Sequence, residues 1–265
     1  MGSYYGFFKM SFKGELQYRA KALSGVVTQI FWGLMYIYLY TAFMGGKLIN
    51  GFSLSQMTTY VWLGQAFLML RFLELPKNCA KEIENGNVCY KFVRPVDLYN
   101  QWYAEYTGYK ISGTIIRCLP LLLVAFLLPG NLTMSAPVSL LAFILFFVAL
   151  IVGLLIMGSI SMITVFLTFK TLSAKGTVTI CNTLVGLLGG LYVPLVFMPQ
   201  GLQNVLNYLP FRFIMDLPSR IYIGNILPSE AIKFLGIAVI WLIILVIIGR
   251  ILISKVGKNA VIQGG

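Results

Sequence analysis

No histidine occurs among the 265 residues, which removes Ser-His and Cys-His nucleophilic pairs and imidazole-ligated metal sites. The four cysteines, Cys79, Cys89, Cys118 and Cys181, show no CxxC spacing. Two of them fall in a segment assigned below to the cytoplasm, so free thiols are expected rather than disulfides. Among the eight acidic residues the one close pair is Glu82 and Glu84. Their i, i+2 spacing points them to different sides of a helix, and no base or metal cluster accompanies them. A GxxxxGK[ST] phosphate loop is absent, so nothing here can cradle a triphosphate. No catalytic residue, metal site or cofactor is expected in this chain, and it is expected not to be an enzyme.

The elements that carry these residues are membrane helices. The chain is 58% hydrophobic and 11% charged, with a mean hydropathy of +0.85, far from a soluble domain. Its net charge of +12 has its explanation in membrane topology, so no nucleic-acid partner is expected. A bilayer core about 30 Å thick needs about 20 apolar residues per helix. Charge-free runs cover 22–46, 48–70, 118–169, 176–211 and 234–249. The third is too long for one span and is divided by Leu128-Pro129-Gly130-Asn131 and Pro137. Six spans follow, at about 22–44, 54–73, 110–128, 137–169, 177–197 and 230–253. With both termini in the cytoplasm, sixteen of the twenty Lys and Arg residues lie inside, as the positive-inside bias demands. Residues 1–21 read as an amphipathic interfacial helix on the inner leaflet, with Tyr5, Phe8, Phe12 and Leu16 on one face and Lys9 and Lys13 beside it; a frayed start to the first span is the alternative.

Intramembrane Asp, Glu and His are nearly absent on this topology, which disfavours a proton-driven carrier. The cytoplasmic loop 74–98 contains a short charged helix from Lys77 to Ile83, a turn at Asn85-Gly86-Asn87, and an extended Arg94-Pro95. Such a helix suits docking into a groove on a soluble partner; an ordinary solvated loop is the alternative. The segment 198–229 is too apolar for a free loop and too rich in proline for a span. Short helices folded back into the outer leaflet reconcile the two, with extended external loops as the alternative. Gly186 and Gly190 have small-xxx-small spacing, which serves either packing within the chain or a contact between subunits. Trp32, Tyr36 and Tyr40 form a stripe at i, i+4, i+8, read either as packing and interfacial anchoring or as part of a substrate path.

At these residues the chain resembles the permease subunits of ABC-2-type transporters, in particular the viologen and multidrug exporter group. The likeness runs through Glu82-Ile83-Glu84-Asn85-Gly86-Asn87-Val88, then Phe92-Val93-Arg94-Pro95-Val96, with Phe92-Val93 where two leucines are usual. It continues through Pro194-Leu195-Val196-Phe197-Met198-Pro199, Leu209-Pro210-Phe211, Pro218 and Gly224. The resemblance implies one all-α transmembrane domain over 1–265 in the cytoplasmic membrane of a bacterial cell. Two such permeases, identical or homologous, would form the pore, and two P-loop ATPase subunits would bind MgATP. Lys77, Lys81, Glu82, Glu84, Gly86, Arg94 and Pro95 would couple to the ATPase. Trp32, Tyr36, Tyr40 and Tyr192 would line the substrate pathway. Gly186 and Gly190 would serve the contact between permeases, and Pro199, Leu209, Pro210, Phe211 and Pro218 an external gate. Membrane lipids would surround the whole. An apolar, charge-free pathway would export an amphiphilic drug, peptide or lipid-like substrate; a stand-alone carrier or channel is the second reading.

Overall fold

A computed structural model describes residues 2–92 and 95–259 of the protein. Among them the only extended pairing is an isolated bridge between Ile49 and Phe52; the rest is helix and turn. In chain order the helices are α1 (Gly2–Leu16), α2 (Arg19–Met44), α3 (Leu54–Ala66), α4 (Leu68–Arg71), α5 (Cys79–Glu84), α6 (Cys89–Phe92) and α7 (Leu98–Leu127). They continue with α8 (Leu140–Thr171), α9 (Ala174–Leu188), α10 (Gln200–Leu206), α11 (Asp216–Tyr222) and α12 (Pro228–Asn259).

Among the described residues four helices are long and apolar enough to cross a bilayer: Ala20–Met44, Leu98–Leu127, Leu140–Thr171 and Pro228–Val256. The two other expected crossings are shorter. The run 54–73 breaks at Phe67, between α3 and α4, and α9 ends at Leu188 after 15 residues. Freedom from charge measures the cost of immersion, and a helix also needs an unbroken backbone ladder. Gly190 at φ +77° and Pro194 end that ladder in α9. In α3, the residues from Met57 to Ala66 are all buried, so Thr58, Thr59 and Gln65 face protein rather than lipid. Helix α7 begins well before its expected start near 110, because the Asp97 side chain accepts from the Asn100 N–H at 2.8 Å and caps it there.

The N-terminal helix lies against α7. Phe8 and Phe12 stack with ring centroids 5.9 Å apart, and the α1 backbone passes so close to Gly108 that a side chain there would collide with it. Tyr5 is 65% exposed, while Phe8 and Phe12 are half-buried. On the opposite side of the molecule, Gly153 of α8 admits the turn at 210–214: a Cβ at this position would stand 2.6 Å from the Phe213 carbonyl oxygen. The segment 198–229 accordingly folds as short helices, and Phe213, Ile214, Met215 and Leu217 join the main core.

Candidate functional site

The aromatic stripe of α2 is continuous. Trp32 and Tyr36 are 6.0 Å apart between ring centroids, as are Tyr36 and Tyr40, and Phe197 closes the row 5.1 Å from Tyr40. The stripe forms one wall of a cavity of about 290 Å³. Tyr192 and Pro194 form the wall beyond α9, and Tyr60, Gln65, Arg71 and Phe72 the wall from α3 and α4. The four residues expected to line a pathway thus meet in one place. The expectation that the pathway is free of charge is corrected, because Arg71 lies on its wall. In the sequence Arg71 falls near the inner end of the expected span 54–73, where the positive-inside bias accounts for it without a role in a pathway.

Arg71 is placed by a clamp from two neighbouring helices. The Lys110 ammonium of α7 is fully buried and donates to the carbonyls of Met69 and Phe72, both at 2.8 Å, and to Glu74 Oε2 at 2.7 Å. All three of its donors are therefore used on the end of α4 and the residues after it. The Leu73 N–H donates to Asn182 Oδ1 of α9 at 2.9 Å. Held in this way, Arg71 reaches back over Gly64, where a Cβ would stand 2.7 Å from its Nη1. Its Nη2 donates to the Gly190 carbonyl at 2.7 Å.

Behind the Tyr60 ring lies a buried ion cluster that no sequence motif signalled. The Tyr60 hydroxyl donates to Asp216 Oδ1 at 2.9 Å, and Arg212 Nε and Arg220 Nε donate to the same carboxylate at 3.0 and 3.2 Å. Arg212 stacks on Phe234 and Arg220 on Phe52. Of the expected gate residues, Pro210 and Pro218 are buried beside this cluster and Leu209 and Phe211 half-buried, while Pro199 is exposed.

Gly186 of α9 and Gly190 just beyond its end are both occupied from within the chain. Gly186 faces the Tyr192 ring, where a Cβ would stand 2.7 Å from it, and Gly190 takes a left-handed conformation against Leu195. Close approach to Tyr192 leaves no open groove at Gly186, so this glycine serves packing within the chain.

In the segment 74–98, Cys79, Ile83 and Val88 pack with Trp102, Met162 and Val165. Helix α5 is thereby fixed to the ends of α7 and α8. Its two glutamates are engaged inside the chain: Glu82 pairs with Lys91 at 2.7 Å, and Glu84 Oε1 accepts from the Ala174 N–H at 3.0 Å. The outward face presents Lys77, Lys81, Asn85, Gly86, Asn87 and Pro95. Tyr90, which no sequence motif singles out, joins them at 72% exposure. Gly86 adopts φ +73°, which a side chain would resist. The expectation for Arg94 lies outside the described residues.

All four cysteines are free. Cys79 is fully buried, and burial pushes its thiol well up from the usual range. A maleimide should leave Cys79 unmodified in the folded protein while labelling a cysteine introduced at exposed position 86, with a rate ratio on the order of 100 that denaturation abolishes. Comparable rates in the folded protein would show that α5 is not packed as described.

Helices long and apolar enough to span a bilayer, one of which, α2, lines a polar and aromatic cavity, define an integral membrane protein. The chain matches the family described as ABC-2 family transporter protein over residues 29–264 and belongs to it. Permeases of this family work with an ABC ATPase subunit. No curated protein matches the chain.

Proposed function

We propose that the protein is the permease subunit of an ATP-driven exporter that moves an amphiphilic molecule out of the cytoplasm. The observation that carries this reading is the cavity enclosed by α2, α3, α4 and the end of α9, because its far wall is mechanically tied to a cytoplasmic helix. Glu84 of α5 bonds the first residue of α9, and the chain leaving α9 supplies Gly190 and Tyr192 to the cavity. Motion of a docked ATPase against α5 would reach the cavity along one short helix. On this reading α3 with α4, and α9 with the residues after it, are the remaining two of six crossings, each completed by surrounding protein rather than by an unbroken apolar helix. Both termini and the face containing Lys81, Gly86 and Tyr90 lie in the cytoplasm of a bacterial cell, and 198–229 lies outside, in keeping with the positive-inside bias. Two permeases and two ATPase subunits make up the transporter.

Purified alone, the chain should hydrolyse no ATP. Co-expressed with its P-loop partner it should co-purify with it and load inverted vesicles with an amphiphile only when MgATP is supplied. Metal-dependent hydrolysis by the isolated chain, or transport without the partner, would overturn the assignment and favour a self-contained carrier.

A further inference from the structure

We propose that the cavity receives an amphiphile with an anionic head, a carboxylate or phosphate, whose charge rests on Arg71. This deepens the permease reading of the same cavity and rests on it. The Arg71 guanidinium has five N–H donors, and its one hydrogen bond among the described residues is to the Gly190 carbonyl. No Asp or Glu among those residues lies within ion-pairing distance of it. The carboxylate on the far side of Tyr60, Asp216, is already shared by Arg212 and Arg220 and is 1% exposed. That carboxylate is therefore matched by Arg212 and Arg220, and the charge left uncompensated is that of Arg71, which faces the cavity.

An unpaired cation away from bulk water is costly, and in membrane proteins such a group is normally matched by a counter-charge. Here the free donors form a planar fork, the geometry that carboxylates and phosphates accept in pairs. The Trp32, Tyr36 and Tyr192 rings offer an apolar, aromatic surface for the remainder of the molecule. An amphiphilic cation would meet the same rings but would be repelled by Arg71, so the wall discriminates by charge as well as by shape. Lys110 and Asn182 hold the backbone on both sides of Arg71, and the Gly190 carbonyl holds the guanidinium at the wall.

The test is saturable binding to the full chain in phosphatidylcholine nanodiscs, corrected with empty discs. The probes are pyrenebutyrate, its methyl ester and the corresponding pyrenebutyl-trimethylammonium. The acid should bind about tenfold or more tighter than the ester, and the cation weakest of the three. Arg71→Gln, which keeps a donor for the Gly190 carbonyl, should bring the acid-to-ester ratio close to one, and Arg71→Lys should restore part of it. Tyr36→Ala should weaken acid and ester alike and leave their ratio intact, which provides a folded comparison if the Arg71 variants lose structure. Phosphatidylglycerol in the discs distinguishes the sources of the head: competition with the acid identifies a resident lipid, and its absence a diffusible acid, each an anionic amphiphile. Equal affinity for acid and ester, preference for the cation, or a ratio that survives Arg71→Gln would overturn the proposal. Failure of all three probes to bind would overturn it too, while co-purification with the ATPase would still test the permease assignment separately.

Discussion

Asp216→Asn is expected to destabilise the protein by about 3–5 kcal/mol, the usual cost of removing one member of a buried ion cluster. The substitution leaves Arg212, which is 2% exposed, and Arg220 facing one another without a counter-charge. It also weakens the acceptor for the Tyr60 hydroxyl. The segment at stake is the whole of 198–229, because the turn at 210–214 and α11 pack on α8 through the residues that flank this cluster. The measurement is the midpoint of denaturation in detergent. Asp216→Asn combined with Arg212→Met should recover part of the loss by removing one of the two stranded charges. A loss below about 1 kcal/mol would show that water reaches the cluster and screens it. Burial alone would raise the Asp216 carboxyl, but Arg220, Arg212 and the Tyr60 hydroxyl together hold it below its ordinary value of 3.8. The carboxylate contribution is therefore complete above that value and is lost only as the pH falls through the lower folded value.

The same cluster shows where sequence reading reached its limit. Trp32, Tyr36 and Tyr40 could be placed on one face because their spacing follows the helical period, and the structure puts them in one row. The four long apolar helices were legible for a similar reason, since hydropathy reports directly on the cost of immersing side chains. Charges were harder to read. Arg71 and Lys110 served as boundary markers in the topology, yet Lys110 is wholly enclosed and Arg71 lines the cavity. Nothing local distinguishes a lysine at a membrane surface from one whose three donors are met by carbonyls and a carboxylate supplied from more than 35 residues away. Asp216, Arg212 and Arg220 show an i, i+4 pattern that is common on solvated helices. Their burial depends on Gly153 of α8 admitting the turn beside them. The glutamates were read correctly as facing different ways, but both partners, Lys91 and the Ala174 N–H, lie within the chain.

Glu84→Ala is expected to separate ATP hydrolysis from transport. The first turn of α9 leaves backbone N–H groups without helical partners, and Ser173 at its N-cap makes no side-chain hydrogen bond to them. Glu84 supplies that acceptor from α5, and its negative charge also favours the positive end of the helix dipole. The contact is worth about 1–2 kcal/mol by analogy with ordinary caps, which corresponds to a roughly 5–30-fold change in the balance between coupled and uncoupled positions of α9. Transport per ATP should fall by that order, whereas the ATPase should still co-purify, because Cys79, Ile83 and Val88 continue to anchor the segment proposed to dock. Glu84→Gln, which keeps an acceptor but loses the charge, should show a smaller defect. Tyr90→Ala gives the opposite pattern: that side chain points outward and makes no part of the cap, so its loss should reduce co-purification and hydrolysis together. If Glu84→Ala and Tyr90→Ala produce the same loss of partner binding, Glu84 belongs to the docking surface. Coupling would then have to reach the cavity through α7, whose Lys110 holds the other side of Arg71.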